Sequence, residues 1–177
     1  YASIAGLSAP TAAEYLNLME ESHVLRLLPP FLGGKRAEIT SARKVFFLDN
    51  GLRNFLHGGF HPFDERGDRG ALFENLVFTE LSKWKRALDE LRFWRTRNGA
   101  EVDFVLRRRD RIVGLEVKSR ELARPSLSRA ARSFIESYRP SGFLVVNLGL
   151  ASSMKIGETE VVYCTLPEAL RQLERWL

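Results

Sequence analysis

Two acidic residues and a lysine interrupt a predicted β-hairpin at positions where strands usually carry apolar side chains. Asp103 lies in the first strand, Glu116 in the second, and Lys118 two residues after Glu116. Carboxylates that converge beside an ammonium group can bind a divalent cation, take part in proton transfer, or stabilise charge that develops on a substrate. Whether such chemistry is available depends on the register of the hairpin.

The turn of the hairpin decides which residues face each other. With Arg109–Asp110 as the two turn residues, Asp103 lies directly opposite Glu116, and Glu101 lies opposite Lys118. Side chains alternate along a strand, so these four ionisable residues are expected on one face. A shift of one residue would scatter them. The apolar residues expected on the other face are Val102, Phe104, Leu106, Val113, Leu115 and Val117.

Two carboxylates that face each other across a hairpin destabilise it unless something neutralises them. A shared proton, a raised pKa or a divalent cation would each do so. Lys118 beside the pair could stabilise negative charge or orient an attacking water. A simpler interpretation is a solvent-exposed strand face with a Glu101–Lys118 salt bridge, which would contribute little stability. The residue types and their spacing leave both interpretations open.

A further carboxylate, Glu74, lies on a predicted helix over residues 70–88. Val77, Phe78 and Leu81 follow it at i+3, i+4 and i+7, so Glu74 is on an apolar flank of the helix. Burying a carboxylate there is costly unless it has a partner. Glu74 therefore either joins the acidic residues of the hairpin or lies at the solvent edge of the apolar stripe.

Together these residues resemble the PD-(D/E)XK superfamily, which has the restriction-endonuclease-like fold. The matching elements are a helix with Glu74, a strand with Asp103, and the tripeptide Glu116–Val117–Lys118 on the next strand. The resemblance implies an α/β fold with an αβββαβ core and metal-assisted hydrolysis of a nucleic-acid phosphodiester bond. One departure from the motif is Val102, which stands before Asp103 in place of proline.

The resemblance implies a role for each matching residue. Asp103 and Glu116 would be metal ligands, with the backbone carbonyl of Val117 as a third. Lys118 would orient the attacking water or stabilise the charge of the transition state. Glu74 would be an accessory acid that reaches the metal directly or through water. The cofactor would be Mg²⁺ or Mn²⁺.

More specifically, nearly the whole chain resembles the C-terminal part of a group of bacterial and archaeal AAA-type ATPases. In that group a P-loop ATPase domain is followed by a winged helix and then by an endonuclease-like domain of uncertain role. The chain begins with Tyr1 and has no GxxxxGK[ST] motif, so we expect a fragment that lacks the ATPase domain and does not hydrolyse ATP. A non-catalytic module that binds nucleic acid or protein and regulates the ATPase is the alternative. The matching stretches are FFLDNGL (46–52), LFENLVFTEL (72–81), FWRTRNGAEVDFVL (93–106), GLEVKS (114–119) and FLVVNLG (143–149).

Hydrophobic periodicity and turn residues predict three regions. Residues 1–60 are expected to form a partial winged-helix unit, residues 61–69 a linker rich in glycine and charge, and residues 70–177 an α/β domain. The resemblance implies that this last region is the nuclease-like domain. A polar loop is expected over 149–159. The predicted helices cover 8–21, 49–56, 70–88, 126–138 and a segment from 165, and the predicted strands cover 24–28, 44–48, 91–97, 101–108, 111–118, 142–148 and 160–164.

The composition favours an anionic partner without requiring one. The net charge is +5 and the sequence pI about 9.7, and arginines crowd the hairpin and the preceding strand. The alternative is a basic, solvated surface. No apolar run is long enough for a membrane span and the single cysteine cannot form an internal disulfide, so we expect a cytoplasmic protein. The predicted nucleic-acid-binding residues are Arg95, Arg97, Arg107, Lys35 and Arg36.

Overall fold

The structure, a computed structural model, describes residues 2–34, 38–39, 42–57 and 59–177. Its helices are α1 (Ala2–Ala5), α2 (Ala9–Glu21), α3 (Asn50–Leu56), α4 (Arg69–Trp84), α5 (Arg129–Tyr138) and α6 (Leu166–Trp176), with a 3-10 turn at Phe63–Glu65. Its strands are β1 (Leu25–Leu28), β2 (Lys44–Phe47), β3 (Glu90–Arg95), β4 (Glu101–Arg108), β5 (Arg111–Val117), β6 (Gly142–Val146), β7 (Ser152–Ile156) and β8 (Thr159–Cys164). Among the described residues, no helix is long and apolar enough to cross a membrane.

The N-terminal unit contains α1, α2, α3 and the two-stranded antiparallel sheet of β1 and β2. Helix α2 begins after Ser8, whose hydroxyl accepts a hydrogen bond from the Thr11 amide at 3.2 Å. Helix α3 begins in the same way after Asp49, whose carboxylate accepts from the Leu52 amide at 2.6 Å. The elements predicted before residue 60 are therefore present, with bounds that shift by one residue.

The remainder is a mixed α/β unit around a six-stranded sheet of order β3-β4-β5-β6-β8-β7. Strands β3, β4 and β5 are antiparallel, β5, β6 and β8 are parallel, and β7 pairs antiparallel to β8. The order α4-β3-β4-β5-α5-β6 is the predicted one. The polar loop expected over 149–159 is wrong, because this segment contains β7. Strand β7 is an edge strand with a largely polar sequence, SSMKI, which hides its strand character.

Helices cover both faces of the sheet, so its central strands are buried on both sides. Helices α4 and α6 pack on one face and α5 on the other. The expectation of a hairpin with one apolar and one ionisable face is therefore wrong. Strand β4 also bulges, because Arg92 pairs with Val105 but Trp94 pairs with Val102. The bulge places Val102 and Phe104 in different hydrophobic clusters, although strict alternation would put them together.

Strand β2 of the N-terminal unit belongs to the same core as the sheet. The Phe46 ring stacks on Phe78 of α4 at 4.4 Å between centroids and lies 5.4 Å from Phe104 of β4. The Asn75 side chain accepts from the Phe47 amide at 2.9 Å and donates to the Phe47 carbonyl at 3.0 Å. These contacts also fix the position of Lys44, which is the first residue of β2.

Helix α4 is shorter than predicted. It ends at Trp84 rather than at the predicted residue 88, and Leu88 is 94% exposed. The reason is a turn in which the Asp89 carboxylate accepts from the Arg86 amide at 2.8 Å and the Asp89 amide donates to the Arg86 carbonyl at 3.0 Å. This side-chain bond competes with continued helix.

Candidate functional site

The β4–β5 hairpin has the predicted turn, and its ladder runs from Arg108↔Arg111 to Phe104↔Leu115. Beyond that pair the strands part, and the Asp103 carboxylate accepts a hydrogen bond from the Val117 amide at 2.8 Å. Asp103 is therefore not a simple rung opposite Glu116. Its side chain takes the place of a backbone acceptor at the point where β5 continues along β6.

Lys44 lies at the centre of three carboxylates that come from two other elements. Its ammonium group is 2.8 Å from Oε1 of Glu74 on α4 and 3.7 Å from Oδ1 of Asp103 on β4, and it also contacts Glu101 on β4. The Lys44 side chain is only 16% exposed. Of the two alternatives for Glu74, the structure thus has the one in which it joins the hairpin acids, but the link to Asp103 is a lysine from the N-terminal unit.

The predicted Glu101–Lys118 salt bridge is replaced by two other pairings. Glu101 forms ion pairs with Lys44 and with Arg95. Lys118 instead lies 2.6 Å from Oε1 of Glu116. The bulge of β4 and the divergence of β4 from β5 explain the exchange, because Glu101 no longer faces the end of β5.

Glu116 is the most deeply buried of the site carboxylates, with 6% of the residue exposed. Its Oε1 accepts from Lys118, whereas Oε2 is buried and has no hydrogen-bond partner among the described residues. A buried carboxylate oxygen without a partner is costly. Glu116 and Asp103 are near enough to interact electrostatically, since the Glu116 carboxylate is one of the groups that raise the pKa of Asp103.

The charges of the site shift the pKa values of two groups. Burial, together with the neighbouring Glu74 carboxylate, raises the pKa of Asp103 to about 6, against the opposing effects of Lys44 and the Val117 amide. Burial opposes ionisation of Lys44, but the carboxylates of Glu74, Asp103 and Glu101 outweigh it and raise the pKa of its ammonium group. Lys44 is therefore a permanent cation at neutral pH.

The donor set suits a hard divalent cation, because carboxylate oxygens are the ligands of Mg²⁺ and Mn²⁺. The buried Glu116 oxygen, which has no hydrogen-bond partner among the described residues, is of the type that binds such an ion. In the part of the chain that the structure describes, however, no three His, Cys, Asp or Glu side chains are grouped closely enough to hold a metal. Lys44 lies between Glu74 and Asp103, two of the predicted ligands.

Three of the predicted nucleic-acid-binding residues are described by the structure, and they lie in two places. Arg95, at the end of β3, pairs with Glu101 of the acidic cluster, and Arg97 is exposed in the following turn. Arg107 lies four residues along β4 from Asp103, about 13 Å away, and pairs with Glu90 at 2.6 Å. Lys35 and Arg36 lie outside the described residues.

Lys44 is the site residue that the sequence analysis missed, since a lysine in the predicted winged-helix unit is expected to be solvated. A signal was present in the strand KVFF, because Lys44 and Phe46 share a face and Phe46 is an apolar core residue. The all-apolar remainder of the strand hides that alternation. The partner, Glu74, lies 30 residues further along the chain.

Comparison with known proteins places this chain in a family. The sequence profile of DUF4143, a domain of unknown function, matches residues 69–167, which is more than half of the chain. The chain belongs to the DUF4143 family. A second profile, DUF8612, also a domain of unknown function, matches residues 1–62, so the DUF4143 match contains Glu74, Asp103, Glu116 and Lys118 whereas Lys44 falls in the DUF8612 match.

Two mycobacterial relatives align with most of this DUF4143 chain. They are the uncharacterized proteins Rv2008c of Mycobacterium tuberculosis and Mb2031c of Mycobacterium bovis. Each is 28% identical over 141 residues, which cover 78% of this chain and 31% of the relative. The chain thus aligns with about a third of the length of these relatives. No solved structure matches the chain.

Proposed function

We propose that this DUF4143 chain hydrolyses phosphodiester bonds of nucleic acid with a divalent metal ion. The observation that supports this most is the buried Glu116 oxygen without a hydrogen-bond partner, in a site where Asp103 is anchored to the adjacent residue, Val117. A buried carboxylate oxygen that has no protein partner is expected where that oxygen binds a cation. Lys118 beside Glu116 completes the D…ExK arrangement.

The roles proposed for the chain's own residues follow from their chemistry. Asp103 and Glu116 would hold Mg²⁺ or Mn²⁺, with the Val117 carbonyl as a third ligand and Glu74 as an accessory acid. The ion, when bound, would polarise a phosphoryl oxygen and lower the pKa of a water. Lys118 would donate to the phosphate oxygen that gains charge, or orient the attacking water. The Val117 amide would hold the Asp103 carboxylate in one orientation.

The element order α4-β3-β4-β5-α5-β6 supports a restriction-endonuclease-like core. The N-terminal helices and the β1–β2 hairpin likewise support a winged-helix unit. We propose that the chain is the C-terminal part of a longer cytoplasmic protein with an AAA-type ATPase domain. The length of the mycobacterial relatives, of which this chain aligns with 31%, leaves room for such a domain.

A second candidate is a non-catalytic module that binds nucleic acid or protein and regulates the ATPase. The observation that favours it is that lysines of the chain itself neutralise two of the site carboxylates. Lys44 pairs with Glu74, and Lys118 pairs with Glu116. Several arginines of the hairpin and the preceding strand are also paired, since Arg95, Arg107 and Arg108 each contact a carboxylate. Such pairing reduces the positive charge available to a phosphate backbone.

A cleavage assay separates the two candidates. Duplex DNA, single-stranded DNA and RNA are incubated with the protein in Mg²⁺, in Mn²⁺ and in EDTA. Cleavage that needs metal and is lost in Asp103→Asn, Glu116→Gln and Lys118→Met supports hydrolysis. Glu80→Gln is the control, because Glu80 pairs with the exposed Lys83 of the same helix. Binding of nucleic acid without cleavage of any substrate would favour the regulatory module.

A further inference from the structure

We propose that Lys44 is an internal cation that competes with the divalent metal for the carboxylates of this site, so that the N-terminal unit controls metal occupancy. This inference rests on the proposed metal site and adds its regulation. The lysine comes from β2 of the N-terminal unit, whereas its three carboxylate partners come from α4 and β4.

The competition follows from where the Lys44 charge lies. Its ammonium group contacts Glu74 and Glu101 and is 3.7 Å from Asp103, so it neutralises the predicted ligand and the predicted accessory acid together. An ammonium group and a divalent ion beside the same carboxylates repel each other. Glu116 gives a separate reason to expect a cation, because its buried Oε2 has no hydrogen-bond partner among the described residues, whereas Lys44 pairs with other carboxylates.

The side chain of Lys44 can leave the carboxylates without moving its strand. Strand β2 is held by the two hydrogen bonds between Phe47 and Asn75, and by the stacking of Phe46 on Phe78. None of these contacts uses the Lys44 side chain, which has four rotatable carbons. Displacement by a metal therefore requires only a rotamer change, and the fold of a Lys44 variant is expected to be retained.

Competition between two ligands for one site is reciprocal. A metal that binds Asp103 weakens the hold of the site on Lys44, and a movement of β2 that withdraws Lys44 strengthens metal binding. Any domain or partner that shifts the N-terminal unit would thus change metal affinity. The alternative is that Lys44 is a fixed structural counter-ion, without which the carboxylates repel each other and the site loses its order.

Titration with Mn²⁺, followed by electron paramagnetic resonance of the free ion, distinguishes these roles. Wild type is compared with Lys44→Gln and with Lys83→Gln, which removes an exposed lysine that pairs with Glu80 in the same helix. We expect Lys44→Gln to bind Mn²⁺ at least about tenfold more tightly, which is the change expected even for well-screened charges a few ångströms apart. Lys83→Gln is expected to match wild type. In Lys44→Gln/Asp103→Asn the gain should disappear.

Equal or weaker binding by folded Lys44→Gln would overturn the inference, and the proposed metal site would still stand if wild type binds and Asp103→Asn does not. Absence of Mn²⁺ binding in every protein would overturn both. If Lys44→Gln fails to fold, Mg²⁺ is titrated into wild type while proton exchange of the Lys44 ammonium group is followed by NMR. Faster exchange with Mg²⁺ supports displacement of the lysine, and unchanged exchange at saturating Mg²⁺ overturns it.

Discussion

The Asp103 carboxylate accepts a hydrogen bond from the Val117 amide, 2.8 Å away, at the point where β4 and β5 diverge. The bond joins the two strands that carry the D…ExK residues after their ladder has ended at Phe104↔Leu115. It leaves the second Asp103 oxygen facing Lys44 at 3.7 Å. One Asp103 oxygen therefore links the two strands through a hydrogen bond, and the other interacts with the Lys44 charge.

These two tasks can be separated by substitution. Asn at position 103 keeps an oxygen that accepts from Val117, whereas Ala leaves the amide without its partner. We expect Asp103→Asn to be more stable than Asp103→Ala by about 1–3 kcal/mol, the cost of an unsatisfied buried donor. Urea denaturation measures the difference. Equal stability of the two variants would mean that the hydrogen bond does not hold the strands together.

The pKa of Asp103 predicts how its charge affects stability in the metal-free protein. The folded-state pKa of about 6 is above the unfolded value, so the folded protein binds the extra proton between these values and its stability falls as the pH rises through this window. Asp103→Asn removes that cost, and we expect it to be more stable than wild type at pH 8 but not below about pH 3, where wild-type Asp103 is mostly protonated in both states. Denaturation at both pH values tests this. A gain that is the same at both would contradict the shift.

The pKa of Asp89 is shifted in the opposite direction, so its effect on stability has the opposite dependence on pH. Its carboxylate accepts from Arg108 at 2.8 and 2.6 Å, and this pairing, against the effect of burial, lowers the pKa of Asp89. The stabilisation is present above the unfolded pKa and is lost as the pH falls below it. We expect Asp89→Asn to lower the free energy of unfolding by up to about 3 kcal/mol at neutral pH, because the partly buried Arg108 charge is left without its partner, and to lower it less at low pH.

Glu174→Gln is the matched control for Asp89→Asn. It removes the carboxylate of an exposed pair with Arg86, at 3.3 Å, and should cost less than about 1 kcal/mol at any pH. Thermal or urea denaturation of both variants measures the contrast. If the two substitutions cost the same, burial does not govern the strength of these ion pairs.

Gly114 is expected to tolerate no side chain. A Cβ atom there would lie 2.7 Å from the Phe143 ring and 2.9 Å from the Phe134 ring, which packs on the sheet from α5. We expect Gly114→Ala to destabilise the protein by about 1–3 kcal/mol through overpacking. Gly149→Ala is the control, since no heavy atom of the described residues lies within 4 Å of the added carbon. Similar denaturation midpoints for the two variants would show that α5 moves away at no cost.

The hairpin register could be predicted from the sequence because a two-residue turn determines it locally. The faces of the hairpin could not, since the β4 bulge arises from pairing with β3, and the sequence of β4 has no glycine or proline to mark it. Strand β7 was missed because an edge strand needs few apolar residues. In each case the missing information lies in the neighbouring element, outside the segment itself.

The candidate site likewise has residues that could be predicted from the sequence and one that could not. Asp103, Glu116 and Lys118 lie close in sequence and were predicted from their types and spacing. Lys44 could not be assigned, because its ion pair with Glu74 spans 30 residues and depends on β2 packing against α4. A lysine at the start of an apolar strand reads as solvated until its partner is known.

The central claim is that Asp103 and Glu116 together bind a divalent ion. Crystals soaked in saturating Mn²⁺ and measured at the manganese absorption edge test it most directly. We expect an anomalous peak about 2.0–2.4 Å from an oxygen of each carboxylate, and none at that place in Asp103→Asn. Well-ordered carboxylates with no peak between them, or a peak only at another site, would contradict the account.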